Sequence, residues 1–518
     1  MIGETLRNAA LRCPGATALS EGGRSWTYAE LNADVNRAAH GLLRMGIGPG
    51  DRAMVCSRNR AEVVLAYLAL QKLGACYAPV NPRLSEAELR HCLALIEPRA
   101  LIFEGRALGS SAPMGGPDPD ARQVVIDDEG EPVPDWATPF GALWEGSPPS
   151  EPPGRPADTD LSLLFFTSGT TGRPKGVPRT HRNEVAATLL NLIALGWRPG
   201  ERLLGVMPLY HTMGVRTLLS SIFLGGHFAL QGQWEPGAAL ELIERHRLTS
   251  LFLVPTMFHD LLRDDGFEER RVAGLRSLGY AGMVMNRALI GEVVERLRPE
   301  RLVNLYGSSE IYCFSVCHDV ARKPGSAGTP PFQQRIRVIR ADPMGGADPD
   351  EEVPADEQGE IICSASSDDA FAGYWRNPEA TERALRRGWY LTGDLGFRDG
   401  EGDLFVLGRV DDAIITGGEN VHPLEVENVL ARCPAVADVA VAGLADERLG
   451  QVVAAFIVRS DPTLDEARVR DFLRASGQLA SFKQPRQVHF VEAIPRSPVG
   501  KVLRRLLRER WSADELRG

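Results

Sequence analysis

No stretch of the chain approaches the ~20 apolar residues that a membrane-crossing helix needs. Met1 to Pro14 carries no apolar core of signal-peptide length. Neither a membrane span nor a cleaved leader is expected. Cysteine is sparse and scattered, with eight residues at Cys13, Cys56, Cys76, Cys92, Cys313, Cys317, Cys363 and Cys433. Only Cys313 and Cys317, followed by His318, lie close together, and no second pair at zinc spacing accompanies them. They read as buried or free thiols in a reducing cytoplasm. A basic excess is also missing. The 58 Lys and Arg are outweighed by 68 Asp and Glu, and the net charge of −10 is spread along the chain, which argues against a nucleic-acid surface. Lysine is scarce beside arginine, a bias we attribute to base composition. No internal repeat is evident.

What is present is an ordinary enzyme composition, 43% hydrophobic and 24% charged. At 518 residues the chain exceeds one core. Its first part alternates helix and strand patterns. Ala61 to Leu73 has apolar residues at helical spacing, Gly74 stops it, and Cys76 to Val80 reads as a strand. The pattern recurs at Ala238 to Arg247 with Ser250 to Val254, and at Ala288 to Leu297 with Leu302 to Leu305. Such alternation predicts parallel sheets covered by helices. Gly109 to Arg122, Gly146 to Pro156 and Asp342 to Glu357 read as surface loops. The tail differs. Val439 to Leu444, Val452 to Val458 and Val488 to Val491 read as strands, and Thr463 with Glu466 predicts a capping box for a helix to about Ala475. The expected fold class is α/β, with a large N-terminal domain (1–409) of helix-covered sheets and a small α+β C-terminal domain (410–518).

The most informative segment is Phe166 to Val177, Phe-Thr-Ser-Gly-Thr-Thr-Gly-Arg-Pro-Lys-Gly-Val. An apolar run, Leu161 and Leu163 to Phe166, predicts a buried strand that empties into a loop of glycine and hydroxyl residues ending in Lys175. Backbone N–H groups and hydroxyls of such a loop wrap phosphate oxygens, and glycine lets the backbone come close. This points to a nucleoside triphosphate. Taken alone, the same cluster is equally a plain turn. It is not a Walker A loop, because Lys175 follows Pro174 and is followed by Gly176 rather than Ser or Thr.

Four further motifs follow in order: Asn304-Leu-Tyr-Gly-Ser-Ser-Glu310; Trp389-Tyr-Leu-Thr-Gly-Asp394; Gly408-Arg-Val-Asp-Asp412 with Gly417-Gly-Glu-Asn420; and Pro495-Arg-Ser-Pro-Val-Gly-Lys501-Val-Leu-Arg504. Each alone is a turn or a loop. Together, in this order and over essentially the whole length, they resemble the adenylate-forming superfamily of acyl-CoA synthetases, adenylation domains and luciferase. Within it, Met207-Pro-Leu-Tyr-His211, Gly408 to Asn420 and Lys501-Val-Leu-Arg-Arg505 are most similar to aryl-CoA ligases of the 4-chlorobenzoate and benzoate type.

The resemblance implies an ATP-dependent carboxylate–CoA ligase working through an acyl-adenylate, with Mg²⁺ and coenzyme A, in the cytoplasm; homodimers are common among its members. It implies that Thr167, Ser168, Gly169, Thr170, Thr171, Gly172 and Lys175 hold the outer phosphates, with Tyr306 on adenine, Gly307 and Ser309 beside it, Asp394 on the ribose hydroxyls and Arg409 at ribose and phosphate. Glu310, with Thr170, would hold the metal, a hard cation that favours oxygen. Lys501 would bridge the attacking carboxylate and the α-phosphate. Asp411 matches the hinge of a C-terminal domain that rotates between half-reactions. Gly417 and Gly418 match the pantetheine tunnel, and Arg83, Phe482 and Arg486 the coenzyme A contacts. The aromatic and the arginine that hold the coenzyme A nucleotide in those ligases correspond here to Leu449 and Gln484.

The acyl pocket is expected around Leu190, His211, Thr212, Met213, Phe252, Gly307, Tyr312 and Cys313, with Met283 in place of a small residue and shortening it. This set is apolar, which suits a ring or short chain, and Met213, Phe252 and Met283 are alternatively plain core. Arg216 reads as a solvated or loop-capping arginine, or as facing a second anionic group. His211 lines or gates the carboxylate site; a general base is not needed, because the acid is already ionised. The other readings are a ligase for short- or medium-chain, alicyclic or dicarboxylic acids, a stand-alone adenylation enzyme loading a carrier protein, and a non-catalytic relative. No carrier segment follows Lys501, which counts against a peptide synthetase.

Overall fold

Long apolar strands alternating with helices build two large sheets. The computed structural model describes residues 1–105, 121–126, 133, 135–168, 174–342, 347–412, 414–416, 419–446, 448–497 and 500–514. Among these residues, one sheet has eight strands, in the order Ser315–Cys317, Arg301–Tyr306, Ser277–Ala281, Ser250–Leu253, Arg202–Gly205, His227–Leu230, Thr17–Glu21 and Arg24–Thr27. Its six inner strands pair in parallel, and the two outermost pair antiparallel. The second has seven, in the order Thr138–Pro139, Arg122–Ile126, Ala100–Glu104, Arg52–Cys56, Cys76–Val80, Leu161–Ser168 and Pro174–Thr180. Crossover helices supply the connections that parallel strands require. Their apolar faces fill two large buried clusters, around Leu68 and Phe228 in one and Leu278 and Phe258 in the other.

A third, largely antiparallel sheet contains Ser326–Gly328, Ile336–Ile339, Gly359–Ser364, Trp389–Arg398 and Leu404–Arg409. The fourth is built from Ile414–Thr416, Glu419–Val421, Val436–Asp446, Gly450–Arg459 and Gln487–Phe490, and has its own apolar clusters. The architecture is mixed α/β, a large N-terminal domain with a smaller C-terminal one. A short turn, Val410–Asp412, lies between the third and fourth sheets. The C-terminal domain touches the large one where His422 Nε2 lies 2.9 Å from Gln358 Oε1.

The expected helix at 466–476 forms, but its cap differs. Asp465 is the N-cap, its side chain accepting from the Arg468 amide at 2.9 Å, while Thr463 bonds Asp461 instead. Asp461 offers Thr463 a tight local turn, and the better acceptor takes the helix end. Replacing Asp465 by Ala is expected to cost about 1 kcal/mol in urea unfolding. Thr463→Ala, measured the same way, is expected to cost clearly less.

Candidate active site

The strands on either side of the predicted phosphate loop form a hairpin. Leu161–Ser168 pairs antiparallel with Pro174–Thr180, with Thr167 opposite Lys175. Residues 169–173, and with them Gly169, Thr170, Thr171 and Gly172, lie outside the described residues. The loop end of the hairpin is held by His91, whose Nε2 is 3.0 Å from the Pro174 carbonyl, and by the Trp375 amide, which donates to Gly176 O at 2.8 Å.

Behind the hairpin lies a buried charge cluster. Glu184, fully buried on the helix His181–Leu195, accepts from Arg179 Nε at 2.6 Å and is also ion-paired with Arg216 Nη2. Arg179 follows the loop on its own strand and donates to the carbonyls of Ser309 at 3.0 Å and Glu310 at 3.4 Å. Arg216, on the helix Thr212–Leu224, also donates to Glu184 O and Thr188 Oγ1. Burial lowers both arginines to about 10, so both stay charged at neutral pH. Arg216 is therefore neither solvated nor a loop cap. Its charge is taken up by a carboxylate 32 residues away in sequence, which local pattern does not reveal.

On the nucleotide side, Asp394 is gripped from two directions. Tyr306 donates its hydroxyl to Oδ2 at 2.6 Å, and Arg409 Nη1 reaches Oδ1 at 3.0 Å while also donating to Thr392 O at 2.6 Å. A carboxylate has about four lone-pair sites, so capacity for two more donors remains. Lys175 is half-buried, with Nζ 4.1 Å from the Tyr374 ring centroid. Desolvation lowers its pKa, opposed by the Glu310 charge. Tyr374 in turn donates to Glu310 Oε1 at 2.8 Å. Gly307 sits so close to the Tyr312 carbonyl that a Cβ would overlap it.

On the acyl side, Asn59 fixes the approach to His211. Its Nδ2 reaches the carbonyls of Gly205, Val206 and Met207, and its Oδ1 accepts from the Leu209 amide. His211 then caps the helix Thr212–Leu224, Nδ1 accepting from the Met213 amide at 3.3 Å. Burial, and next the Lys501 charge, pull its imidazole down to about 3. It is neutral at pH 7. Leu190, Met213, Phe252, Tyr312 and Cys313 all belong to one buried cluster, and Thr212 is buried beside them. Tyr312 donates to Asn191 Oδ1 at 2.5 Å, and Asn191 Nδ2 to Ser220 Oγ at 3.0 Å. Met283 is half-buried, and the turn carrying Lys501 comes down beside it.

Residues 6–375 match the AMP-binding enzyme family, and residues 425–501 match the AMP-binding enzyme C-terminal domain. The chain belongs to this family. It is 35% identical over 505 residues to a feruloyl-CoA synthase of Amycolatopsis sp, spanning 96% of each protein. It is 33% identical over 513 residues to a 4-chlorobenzoate–CoA ligase of Arthrobacter sp, spanning 96% of this chain and 93% of that one. A crystal structure of an anthranilate CoA ligase in complex with anthranoyl-AMP superposes with a TM-score of 0.88 at 26% identity, over 99% of this chain and 98% of that one.

In this AMP-binding enzyme the expected residues fall into separate groups. Lys175 and Glu310 are joined through Tyr374, Tyr306 and Arg409 through Asp394, and Lys501 is felt at His211. Arg83 and Arg486 are exposed, Phe482 is 39% exposed, Leu449 packs on the C-terminal cluster and Gln484 bonds Leu479 O. Gly417 and Gly418 lie outside the described residues, and Ser168 and Asp411 are described in backbone only. Sequence reasoning missed Tyr374, Thr392, Asn59, Glu184 and Arg179. The aromatic after Gly373 and the Thr392 within Leu-Thr-Gly-Asp394 were the available signals; the other three act through tertiary contacts alone.

Removing Glu184 takes from two buried arginines the carboxylate that pairs with both directly. Glu184→Ala is expected to destabilise by about 3–5 kcal/mol in denaturant unfolding, well beyond the effect of removing an exposed partner such as Glu86, whose i,i+4 pair with Arg90 is solvated.

Proposed function

We propose that this chain is an ATP-dependent carboxylate–CoA ligase for an aromatic acid, working in a cytoplasmic setting. In the first half-reaction a carboxylate oxygen attacks the α-phosphorus of ATP, the bond to pyrophosphate breaks, and pyrophosphate leaves. In the second, the coenzyme A thiol loses its proton and attacks the acyl carbonyl, and AMP leaves.

The observation that carries this reading is that residues from distant parts of the chain hold one another: Lys175 and Glu310 through Tyr374, Tyr306 and Arg409 through Asp394, with the turn that bears Lys501 seated against Met283. The first two groups are read as the nucleotide side, and Lys501 as the charge brought to the acid. Bringing an anion to a polyanion needs fixed positive charge where the new charge develops, and Lys501 supplies it at the acid. The loop 168–172 with Lys175 holds the outer phosphates. Asp394, oriented by Tyr306 and Arg409, takes the ribose. Glu310, oriented by Tyr374, offers the hard oxygen that Mg²⁺ favours; bound there, the ion would neutralise phosphate charge. His211, neutral and capping, presents Nε2 without a competing charge. The small domain, 410–518, swings about Asp411 after adenylation, and Gly417 and Gly418 then line the pantetheine path, with Arg83, Phe482 and Arg486 toward the nucleotide end of coenzyme A.

Two observations favour an aromatic acid over a dicarboxylate. The relatives named above act on feruloyl, 4-chlorobenzoyl or anthranoyl groups. Arg216, the cation nearest the acyl side in sequence, is committed to Glu184 and Thr188. Free thiols at all eight cysteines accord with a reducing compartment.

A panel of carboxylates with ATP and Mg²⁺, assayed with and without coenzyme A, is expected to give thioester from benzoate- or cinnamate-like acids and none from aliphatic or dicarboxylic ones. AMP formation indifferent to coenzyme A but dependent on an added carrier protein would overturn the ligase reading. Lys501→Ala is expected to slow pyrophosphate release on the order of 10²-fold or more while preserving thioester formation from a supplied acyl-adenylate.

A further inference from the structure

The turn that carries Lys501 is held by its own hydrogen bonds. Gly500 N donates to Ser497 O at 2.8 Å, Ser497 N to Lys501 O at 2.8 Å, and Lys501 N to Ser497 Oγ at 3.2 Å. Arg496 braces it from below, Nη1 donating to Gly500 O at 2.9 Å while Nη2 is 2.7 Å from Asp438. These bonds tie Gly500 and Lys501 to Ser497, so whatever stops Gly500 sets where the lysine stem begins. Its stop is visible at Gly500. A Cβ added there would lie 2.6 Å from Met283 Sδ, 3.8 Å from Met283 Cγ and 3.7 Å from Thr256 Oγ1. Gly500 also has φ +81°, a conformation that favours glycine.

Met283 is well suited to such a seat. It follows the strand Ser277–Ala281 on a turn at Gly282, φ +84°, and is half-buried. Its unbranched thioether adapts to irregular gaps. The side chain at 283 thus has the lysine turn as a direct neighbour.

We propose that Met283 is a positioning residue for adenylation: its thioether is the seat on which Gly500 lands, and its size sets how far Lys501 descends toward His211. The proposal rests on the ligase reading and deepens it. The seat is used only while the small domain is closed for the first half-reaction, so contact with Gly500 acts on that step.

A double-mutant cycle tests this. Gly500→Ala carries two burdens, backbone strain and the collision with Met283. The strain is common to both backgrounds and cancels in the cycle. Pyrophosphate release should fall on the order of 10²-fold for Gly500→Ala with Met283 present, since a shift of about 1 Å costs that much. With Met283→Ala it should fall only about tenfold. Met283→Phe alone, whose rigid ring cannot swing aside, should slow pyrophosphate release about tenfold. Gly500→Ala should keep the wild-type rate of thioester formation from supplied acyl-adenylate, which also shows that it is folded; Met283→Phe should lose more in pyrophosphate release than in thioester formation from that same adenylate. An additive cycle, an unaffected Met283→Phe, or equal loss in both half-reactions overturns the proposal while the ligase reading stands. A wild-type enzyme that releases no pyrophosphate with any acid overturns both.

Discussion

One carboxylate holds the site together. Glu184 lies with no solvent exposure between Arg179 and Arg216, and these three side chains belong to the loop hairpin and the two helices that wall the acyl side. Through Arg179 the same cluster reaches the carbonyls of Ser309 and Glu310. Four of the segments that carry chemistry are thus fixed relative to one another by a single ionic centre. The arrangement is costly to desolvate, and its consequence is geometric, because a buried carboxylate paired to two arginines admits few alternatives. Asp369, also fully buried, accepts from the Cys313 amide and raises the pKa of both arginines, bringing the local charge close to balance.

Around that centre the polar side chains of the candidate site are oriented by the protein itself. Asp394 is turned by Tyr306 and Arg409, Glu310 by Tyr374, and the segment before His211 by Asn59. Orientation prepaid in this way lowers the reorganisation needed when charge develops. The small domain meets the large one at the His422–Gln358 contact and at the Gly500 turn, among other places.

The elements were legible because strong periodicity and glycine or proline punctuation coincide, as at Ala61–Leu73, Gly74 and Cys76–Val80. The motif residues were legible because glycine, hydroxyl and charge recur in fixed order. What escaped was everything set by partners distant in sequence. Arg216 looked available because nothing near it in sequence is acidic, and Glu184 lies on another helix. The helix cap at Asp465 was misassigned to Thr463 because two acceptors compete within three residues and only geometry ranks them. Tyr374 and Asn59 escaped because an aromatic and an amide have no chemistry of their own to announce; they act by holding other groups.

The chain has only five lysines. Lys72 is buried against Glu151, Lys323 is ringed by Asp399, Glu401 and Asp403, and Lys483 is paired with Glu425. The other two are Lys175 and Lys501. An acyl-adenylate is an acylating agent, and amines are what it damages. Whatever base composition set the count, a chain in which three of five lysines are held by carboxylates offers an acylating intermediate few lysine targets on its surface.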